Sequence, residues 1–252
     1  MKKCFTINPL RTSDQFETYH QLIKKDIYQA IEIFYPYMLG EKEFTEYTKN
    51  VHKLKAIGAD VVIHLPYGRD NDLLGDKEGI DRIKSAIQYA KQFDAKLMTL
   101  HLGYINNHDR EEVFAYIKPI LINLCEHAGE ATIMIENMPG ANELGYSPEE
   151  IKKIIELVNR PNLKFIFDCG HANVSIYSND DYLELLKPYL THIHLSDNKG
   201  ERDSHARIGT GTIDFKDIFS KLDGYQGYYC MEVLYKDVED LINYSQDLDN
   251  LF

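Results

Sequence analysis

Cysteine is scarce in this chain of 252 residues, and tryptophan is absent. The four cysteines, Cys4, Cys125, Cys169 and Cys230, are scattered and form no C-x-x-C pair. This spacing argues against a zinc ribbon and against the disulfide framework of a small secreted protein. Because free thiols suit a reducing compartment, we expect a cytoplasmic protein.

Long apolar runs are missing as well. No eighteen apolar residues follow one another, so the sequence predicts no membrane-spanning helix. The apolar stretch after Lys2 and Lys3 breaks at Asn8-Pro9, which makes it too short for the core of a signal peptide. We therefore expect a water-soluble protein that does not bind membranes.

Positive charge is in deficit, with 28 lysines and arginines against 40 aspartates and glutamates. The resulting net charge of −12 repels phosphodiester backbones, so nucleic acids are unfavoured partners. Hydrophobic residues make up 44% of the chain and charged residues 27%, which is typical of a globular protein with a sizeable core. Global disorder is excluded.

Linkers rich in glycine, serine or proline are also absent, and a strand-helix unit recurs eight times instead. The predicted strands are 3–7, 30–34, 60–64, 96–101, 132–136, 163–168, 191–195 and 228–233. The predicted helices are 13–26, 42–57, 79–93, 109–128, 148–159, 180–186, 214–222 and 236 to the end of the chain.

The turns between these elements carry clear helix signals. Ser147 with Pro148 predicts a helix start, and Gly58, Gly129 and Gly224 predict helix ends. Alternating strands and helices indicate a parallel sheet, and eight units in about 250 residues predict a single (β/α)8 TIM barrel spanning 1–252. No G-x-G-x-x-G motif follows a strand, which argues against a dinucleotide-binding open sheet.

Potential metal ligands end six consecutive predicted strands. They are His64, His101, Glu136, Asp168, His194 and Glu232. Barrel enzymes place catalytic groups at the carboxyl ends of their strands, so these side chains should converge. Three carboxylates in one desolvated mouth repel one another unless a cation compensates. The pattern predicts a divalent metal, and imidazole with carboxylate suits zinc, manganese, iron or cobalt better than calcium.

Weaker candidates lie beyond the strand ends. His171 follows Asp168 by three residues, while Asp203 and His205 stand in the loop after the seventh strand, where a solvated turn is the alternative. Gly209-Thr210-Gly211 either offers amides to a phosphate or shapes a turn, with Asp214 capping the next helix.

Other polar residues have two interpretations each. His192 is expected to be a hydrogen-bonded core histidine. Glu32 closes the substrate site at the barrel mouth or pairs with a lysine, and Asp197 orients His194 or caps its loop. Asn137 binds substrate hydroxyls or holds the loop backbone. Arg207 clamps a substrate or phosphate, or is an exposed loop residue.

Aromatic residues are abundant, with 18 tyrosines and 11 phenylalanines. Most are expected to pack in the core. Tyr35, Tyr67 and Tyr104 are candidates to line a substrate pocket at the barrel mouth.

The ordered motifs HLPY, HLG, IEN, DCGH, HLSD, DSHxxxGxG and MEV resemble the xylose isomerase-like TIM barrel superfamily. That group includes sugar-phosphate isomerases and epimerases, and the endonuclease IV family. The resemblance covers nearly the whole chain, in detail from the third strand to the eighth. It is specific to the superfamily and not to one reaction.

The epimerase branch implies one divalent metal held by Glu136, Asp168, His194 and Glu232, with His171 contacting the substrate. A metal that chelates a carbonyl and a neighbouring hydroxyl oxygen stabilises an enediolate. Glu136 and Glu232, from strands on opposite sides of the barrel, then serve as general base and general acid. Two opposed bases give epimerisation and one shuttling base gives isomerisation, and both remain open.

The endonuclease IV branch implies three zinc ions. The matching ligands are His64, His101, Glu136, Asp168, His171, His194, Asp203, His205 and Glu232, and Tyr67 and Lys199 also resemble that branch. Three features argue against it: the charge of −12, the compact loop between His194 and Asp203, and the Met138-Pro139-Gly140 segment. Conversely, ketose epimerases often carry arginine where His205 stands, which argues against a free ketose substrate.

These arguments predict a metal-dependent isomerase or epimerase acting on a small-molecule sugar or sugar phosphate. The predicted cofactor is one divalent ion of zinc, manganese, cobalt or magnesium, or up to three zinc ions. The alternative is a zinc phosphodiesterase of the endonuclease IV type, and a third possibility is a non-catalytic sugar-binding module. The protein is expected to be a monomer or a homodimer.

Overall fold

The computed structural model describes residues 1–9, 15–106 and 108–251. Eight parallel strands close into one barrel in chain order, with β1 paired to β8. The strands are β1 Lys2–Ile7, β2 Ala30–Phe34, β3 Asp60–His64, β4 Leu97–Leu100, β5 Thr132–Glu136, β6 Leu163–Asp168, β7 Leu190–Leu195 and β8 Tyr228–Met231. The predicted TIM barrel is confirmed.

Helices follow the strands around the barrel. They are α1 Gln15–Lys24, α2 Glu41–Ala56, α3 Lys77–Lys91, α4 Arg110–Ala128, α5 Pro148–Val158, α6 Cys169–Val174, α7 Asn179–Leu186, α8 Phe215–Ser220 and α9 Asp240–Asp249. Short 3-10 turns occur at Arg69–Asn71 and Lys187–Tyr189. The predicted start of the first helix at Ser13 lies outside the described residues.

Local capping signals set several helix ends as predicted. The Ser147 side chain accepts a hydrogen bond from the Glu150 amide at 3.1 Å and begins α5. Gly129 ends α4 with a φ of +67°, a left-handed conformation that favours glycine. Asp214 caps α8 by accepting from the Asp217 amide.

Helix α6 is the element that sequence analysis did not predict. It begins immediately after β6, and the Asp168 carboxylate caps it by accepting from the His171 amide at 2.7 Å. Because α6 has only six residues, it leaves little periodicity in the sequence. Its consequence is that His171 stands close to the strand ends, with its Nδ1 atom 3.6 Å from Glu136 Oε1.

Strand alternation separates two apolar regions. Outward side chains such as Phe5, Ile133 and Phe167 pack with the helices in the main core. Inward side chains form small separate clusters, one of them Val62, Met134 and Ile166. Side chains alternate with a period of two along a strand, so residues two positions further on also face inward. Those next inward positions are His64, Glu136 and Asp168. These polar side chains therefore lie one inward position beyond the apolar cluster, toward the carboxyl ends of the strands.

No helix in the described part of the chain combines the length and apolarity needed to cross a bilayer.

Candidate metal centre

Four side chains meet where β5, β6, β7 and β8 end. Glu136, Asp168, His194 and Glu232 each offer a ligand atom, and these atoms lie within 4.8 Å of one another. The Nδ1 atom of His194 lies 2.8 Å from Glu232 Oε2, 3.1 Å from Glu136 Oε1 and 3.7 Å from Asp168 Oδ2. Glu136, Asp168 and His194 are fully buried, and 12% of the Glu232 side chain is exposed.

A second group shares Glu136. His101 Nε2 lies 2.8 Å from Glu136 Oε2, and His64 Nε2 lies 3.7 Å from the same oxygen. The ligand atoms of these three residues also fall within 4.8 Å of one another. Glu136 therefore stands between two possible ion positions, with one carboxylate oxygen toward each.

A third group forms over the mouth. Asp203 Oδ2 lies 2.7 Å from His205 Nε2 and 3.4 Å from His171 Nε2. The side chains of Asp203 and His205 therefore turn toward α6 and are not a solvated turn. The structure thus brings all nine ligand candidates to one end of the barrel.

Three of these histidines are held in the same tautomer. The Nδ1 atoms of His64, His171 and His205 donate to the carbonyl oxygens of Leu65, Asn137 and Glu232, at 2.9, 2.9 and 3.1 Å. A carbonyl only accepts, so Nδ1 carries the hydrogen in each case. Nε2 is then the atom left for a metal, the arrangement usual for histidine ligands.

The loop that carries Asp203 and His205 is organised by Asp197. Its carboxylate accepts from the amides of Asn198, Gly209 and Gly211 at 2.8 to 2.9 Å. A Cβ on Gly211 would stand 2.1 Å from the Asn198 carbonyl oxygen, so this close approach requires glycine. Of the two interpretations of Asp197, loop capping is the one that the structure shows.

Burial and neighbouring charge set the protonation of the carboxylates. Burial alone would raise the pKa of Glu136, but the charges of His194 and His101 hold it well below its usual range. Burial, with the nearby charges of Glu136 and Glu232, raises the pKa of Asp168 to about 7 despite His171. The buried Glu32 resembles Glu136, since His194 and His192 hold its pKa well below its ordinary value against the effect of burial.

The pKa values of the histidines are shifted in the opposite direction, because burial lowers them and neighbouring carboxylates raise them. Burial acts to lower the pKa of His194, but Glu232, Glu32 and Glu136 raise it well above its ordinary value. Burial is likewise outweighed at His205, whose pKa Asp203 and Glu232 raise to about 9. In the absence of a metal, protons on these rings therefore supply the positive charge that the carboxylates need.

The donor set fits a divalent cation. Asp168 Oδ2 and Asp203 Oδ1 are buried side-chain oxygens without a hydrogen-bond partner. The Asp168 oxygen belongs to the four-residue group and indicates a cation there, since an unpaired buried carboxylate oxygen is costly. Imidazole nitrogens and carboxylate oxygens without a thiolate in these groups match the preferences of zinc and manganese.

A cavity of about 240 Å³ opens beside the cluster. Glu232, His205, Phe34 and Tyr67 are among the residues that line it. Tyr67 is half-exposed, and its ring centre lies 5.1 Å from those of His64 and His101. A second cavity, of about 310 Å³, shares Phe34 and Tyr67 and is also lined by Tyr35.

Two residues predicted to bind substrate have other tasks. The Asn137 amide is buried, donating to the Asp168 carbonyl and accepting from the Asp168 amide, both at 2.8 Å. Asn137 therefore holds the loop backbone. Arg207 pairs with Asp247 through two hydrogen bonds of 2.6 and 2.9 Å and lies over the Tyr244 ring, so it fastens the loop to α9.

Other expectations are corrected by contacts. The Gly209 and Gly211 amides are bound to Asp197, so they shape a turn and do not form a phosphate site. Tyr104 lies under the Arg69 guanidinium at 5.0 Å and is not among the described residues that line either cavity. Glu32 neither pairs with a lysine nor closes the sugar site, because it lies inside the barrel against His192. The expectation that His192 is a hydrogen-bonded core residue is confirmed.

Phe34 is one of the cavity residues that sequence analysis missed. It follows Glu32 by two positions on β2, so strand alternation turns both side chains into the barrel. That period is the signal that would have found it.

The fold and the site together define a TIM barrel with a candidate metal centre at the carboxyl ends of its strands. The chain belongs to the xylose isomerase-like TIM barrel family, whose model matches residues 22–251.

The relatives that this chain resembles in sequence carry names that refer to different functions or to none. "Uncharacterized protein MJ1311" of Methanocaldococcus jannaschii is 30% identical over 75% of this chain and 69% of its own length. "Probable endonuclease 4" of Metamycoplasma arthritidis is 28% identical over 76% of this chain and 67% of its own length. The alignments thus span about two thirds of each relative.

Among solved structures, a D-tagatose 3-epimerase-like protein superposes with a TM-score of 0.81. It is 26% identical, and the match covers 100% of this chain and 97% of that one.

Proposed function

We propose that this protein is a divalent-metal-dependent isomerase or epimerase of a sugar or sugar phosphate. The cavity beside the cluster carries the proposal, because its volume of about 240 Å³ suits a single sugar unit and Glu232 lines it. Among the described residues that line either cavity there is no lysine or arginine, unlike a site built for a nucleic-acid backbone. The likeness to a D-tagatose 3-epimerase-like protein supports the same class.

The ligand set for this chemistry is Glu136, Asp168, His194 and Glu232. A bound divalent ion supplies positive charge that stabilises an oxyanion developing on the substrate. Asn137 and the α6 cap hold the Asp168 backbone and side chain in place for this task.

Proton transfer falls to the two glutamates. Glu232 is the carboxylate that faces the cavity, so it is placed to take a proton from a substrate carbon. Glu136 lies behind it within the same 4.8 Å cluster and is the second group able to exchange a proton. Tyr67 and Phe34 provide apolar walls against which a sugar ring packs.

Solvent deuterium incorporation tests this proposal. The metal-loaded protein is incubated in D₂O with a panel of ketoses, aldoses and their phosphates, and carbon-bound hydrogen is followed by NMR. Enolisation by Glu232 predicts exchange of one carbon-bound hydrogen, with a new stereoisomer or regioisomer. Absence of exchange across the panel, together with cleavage of a phosphodiester substrate, would contradict it.

A zinc phosphodiesterase is the second candidate. The observation that favours it is the shared tautomer of His64, His171 and His205, which leaves three further nitrogens available to metals. A mononuclear isomerase does not need this second and third group. Clustered zinc ions activate hydroxide and stabilise a leaving oxygen.

Metal content and an abasic-site cleavage assay separate the two. About one ion per chain and no cleavage of an abasic oligonucleotide support the isomerase. About three zinc ions per chain with strand cleavage support the phosphodiesterase.

A further inference from the structure

We infer that Glu32 is the positioning residue for His194, fixing which ring nitrogen faces the metal centre. The inference rests on the proposed metal centre and holds for both candidate reactions, because both use His194. It assigns a role to a carboxylate that lies fully buried inside the barrel.

The contacts of Glu32 are specific. Its Oε2 atom accepts from His194 Nε2 at 2.8 Å and from His192 Nε2 at 2.9 Å. Its Oε1 atom accepts from Thr99 Oγ1 at 2.8 Å. All four side chains are buried, so three donors from β4 and β7 hold one carboxylate without help from solvent.

His194 differs from the other histidines of the site. His64, His171 and His205 place Nδ1 on a backbone carbonyl and turn Nε2 toward the carboxylates. His194 does the reverse, since its Nε2 points down to Glu32 and its Nδ1 points up to Glu136 and Glu232. A strand residue deep in the barrel finds its neighbouring carbonyls engaged in the sheet, so a side chain from β2 supplies the acceptor.

His192 completes the arrangement. Its Nδ1 atom is buried without a hydrogen-bond partner, while its Nε2 atom donates to Glu32. The ring therefore serves as a donor that fixes the carboxylate from one side, and Thr99 fixes it from the other. This explains why a second histidine stands two residues before the ligand on β7.

The Glu32 carboxylate behind His194 carries a negative charge, which the backbone carbonyls behind the other histidines do not. A carboxylate behind a ligand histidine raises the basicity of its metal-facing nitrogen and fixes the plane of the ring. Losing such a partner costs metal affinity by about 10- to 100-fold. Glu32 also adds one negative charge beneath a site that must attract a cation.

The test compares Glu32→Gln with the native protein. Zinc or cobalt affinity is measured by competition with a chelator of known affinity, and we expect a loss of about 10- to 100-fold. In ¹⁵N-histidine-labelled protein, the His194 Nε2 proton should give a strongly downfield, slowly exchanging signal that Glu32→Gln shifts upfield, because a neutral amide oxygen is a weaker acceptor than a carboxylate. His194→Gln assigns that signal.

Thr99→Val is the matched control. It removes a hydrogen bond from Glu32 but leaves the His194 contact, so a purely structural role predicts a similar loss in both variants. We expect Thr99→Val to keep the downfield signal and most of the metal affinity. If Glu32→Gln does not fold, Glu32→Asp retains the charge with a shorter reach and should give an intermediate loss.

The outcomes are distinct. Native affinity and an unchanged His194 signal in the Glu32 variants would overturn this inference and leave the metal centre intact. Failure of the native protein to bind any divalent ion would overturn the proposed function and this inference with it.

Discussion

Glu136 and Glu232 share a metal-ligand group but have different surroundings. Glu136 is fully buried and touched by His101 and His194, whereas Glu232 is partly exposed and lines the cavity. Burial alone would raise the pKa of Glu232, but His194 holds it below its usual range. Both therefore remain carboxylates at neutral pH, the form that a base requires.

Replacing either glutamate should stop turnover. We expect Glu136→Gln and Glu232→Gln to lower kcat by about 10²- to 10⁴-fold, the range typical of losing a general acid or base. Steady-state kinetics at saturating metal on the substrate identified by deuterium exchange measure this. Glu150→Gln, at a buried carboxylate that binds Arg110 elsewhere in the barrel, is the control. Full activity in both site variants would contradict the acid-base assignment.

Metal uptake should release protons. The carboxylates raise the pKa of His194, and they raise the pKa of His205 to about 9. At pH 7 both rings are therefore protonated on both nitrogens, and a metal must displace the proton from the nitrogen that it binds. A raised pKa means more bound protons at low pH, so apparent affinity should fall as pH drops below about 9. Calorimetric titration of zinc in buffers of different ionisation enthalpy measures the release. Binding heats that are independent of the buffer would show that the rings are neutral beforehand.

The loop between β7 and α8 is the element that completes the site. The backbone of Asp197 pairs with Ala206 through two hydrogen bonds of 2.9 Å, and the Leu234 amide donates to the His205 carbonyl. His205 itself adopts a left-handed φ of +43°, which costs energy for a residue with a side chain. These hydrogen bonds stabilise the strained backbone of His205, so the position of its side chain depends on the whole loop.

Removing the Asp197 carboxylate should destabilise this loop. Asp197→Ala leaves one buried and two partly buried amides, those of Asn198, Gly209 and Gly211, without their acceptor, and we expect a loss of about 3 kcal/mol in the free energy of unfolding. Urea unfolding of metal-free protein measures it. The exposed Asp223→Ala variant is the control and should change stability by less than about 0.5 kcal/mol. A loss below 1 kcal/mol for Asp197→Ala would show that the loop does not depend on this carboxylate.

The molecule as a whole places its most costly groups inside the barrel. Four carboxylates, Glu32, Glu136, Asp168 and Glu232, reach the interior of the barrel, which also holds the apolar cluster of Val62, Met134 and Ile166. Their mutual repulsion opposes folding, and a cation that binds only the folded state offsets it. Metal binding should therefore appear as thermal stability.

Chelation should lower the melting temperature. Zinc at a free concentration of 100 times its dissociation constant contributes about 2.7 kcal/mol, which corresponds to about 5 to 10 °C for a chain of this size. Differential scanning fluorimetry with zinc or EDTA measures the shift. The same comparison on Glu136→Gln should give a smaller shift, because that residue joins two ligand groups. An equal shift in both proteins would mean that zinc binds elsewhere.

The alternation of residue types along each strand predicted where the strands end and which side chains face the barrel interior. The period of two in segments such as the one ending at His194 places His192 and His194 on one face, and parallel strands in a closed barrel bring their ends together. The nine ligand candidates followed from that reasoning and from family resemblance. Helix α6 did not, because six residues are too few to show a helical period.

Hydrogen-bond partners that are distant in the sequence were decided by the tertiary structure. Arg207 and Asp247 are 40 residues apart, and Glu32 and His194 are 162 apart, so no local pattern joins them. Residue types and their alternation are properties of the chain, and they decide which side chains face the barrel interior. Which of those side chains touch depends on barrel closure, strand stagger and the paths of the loops, because hydrogen bonds form only between groups that packing brings within about 3 Å.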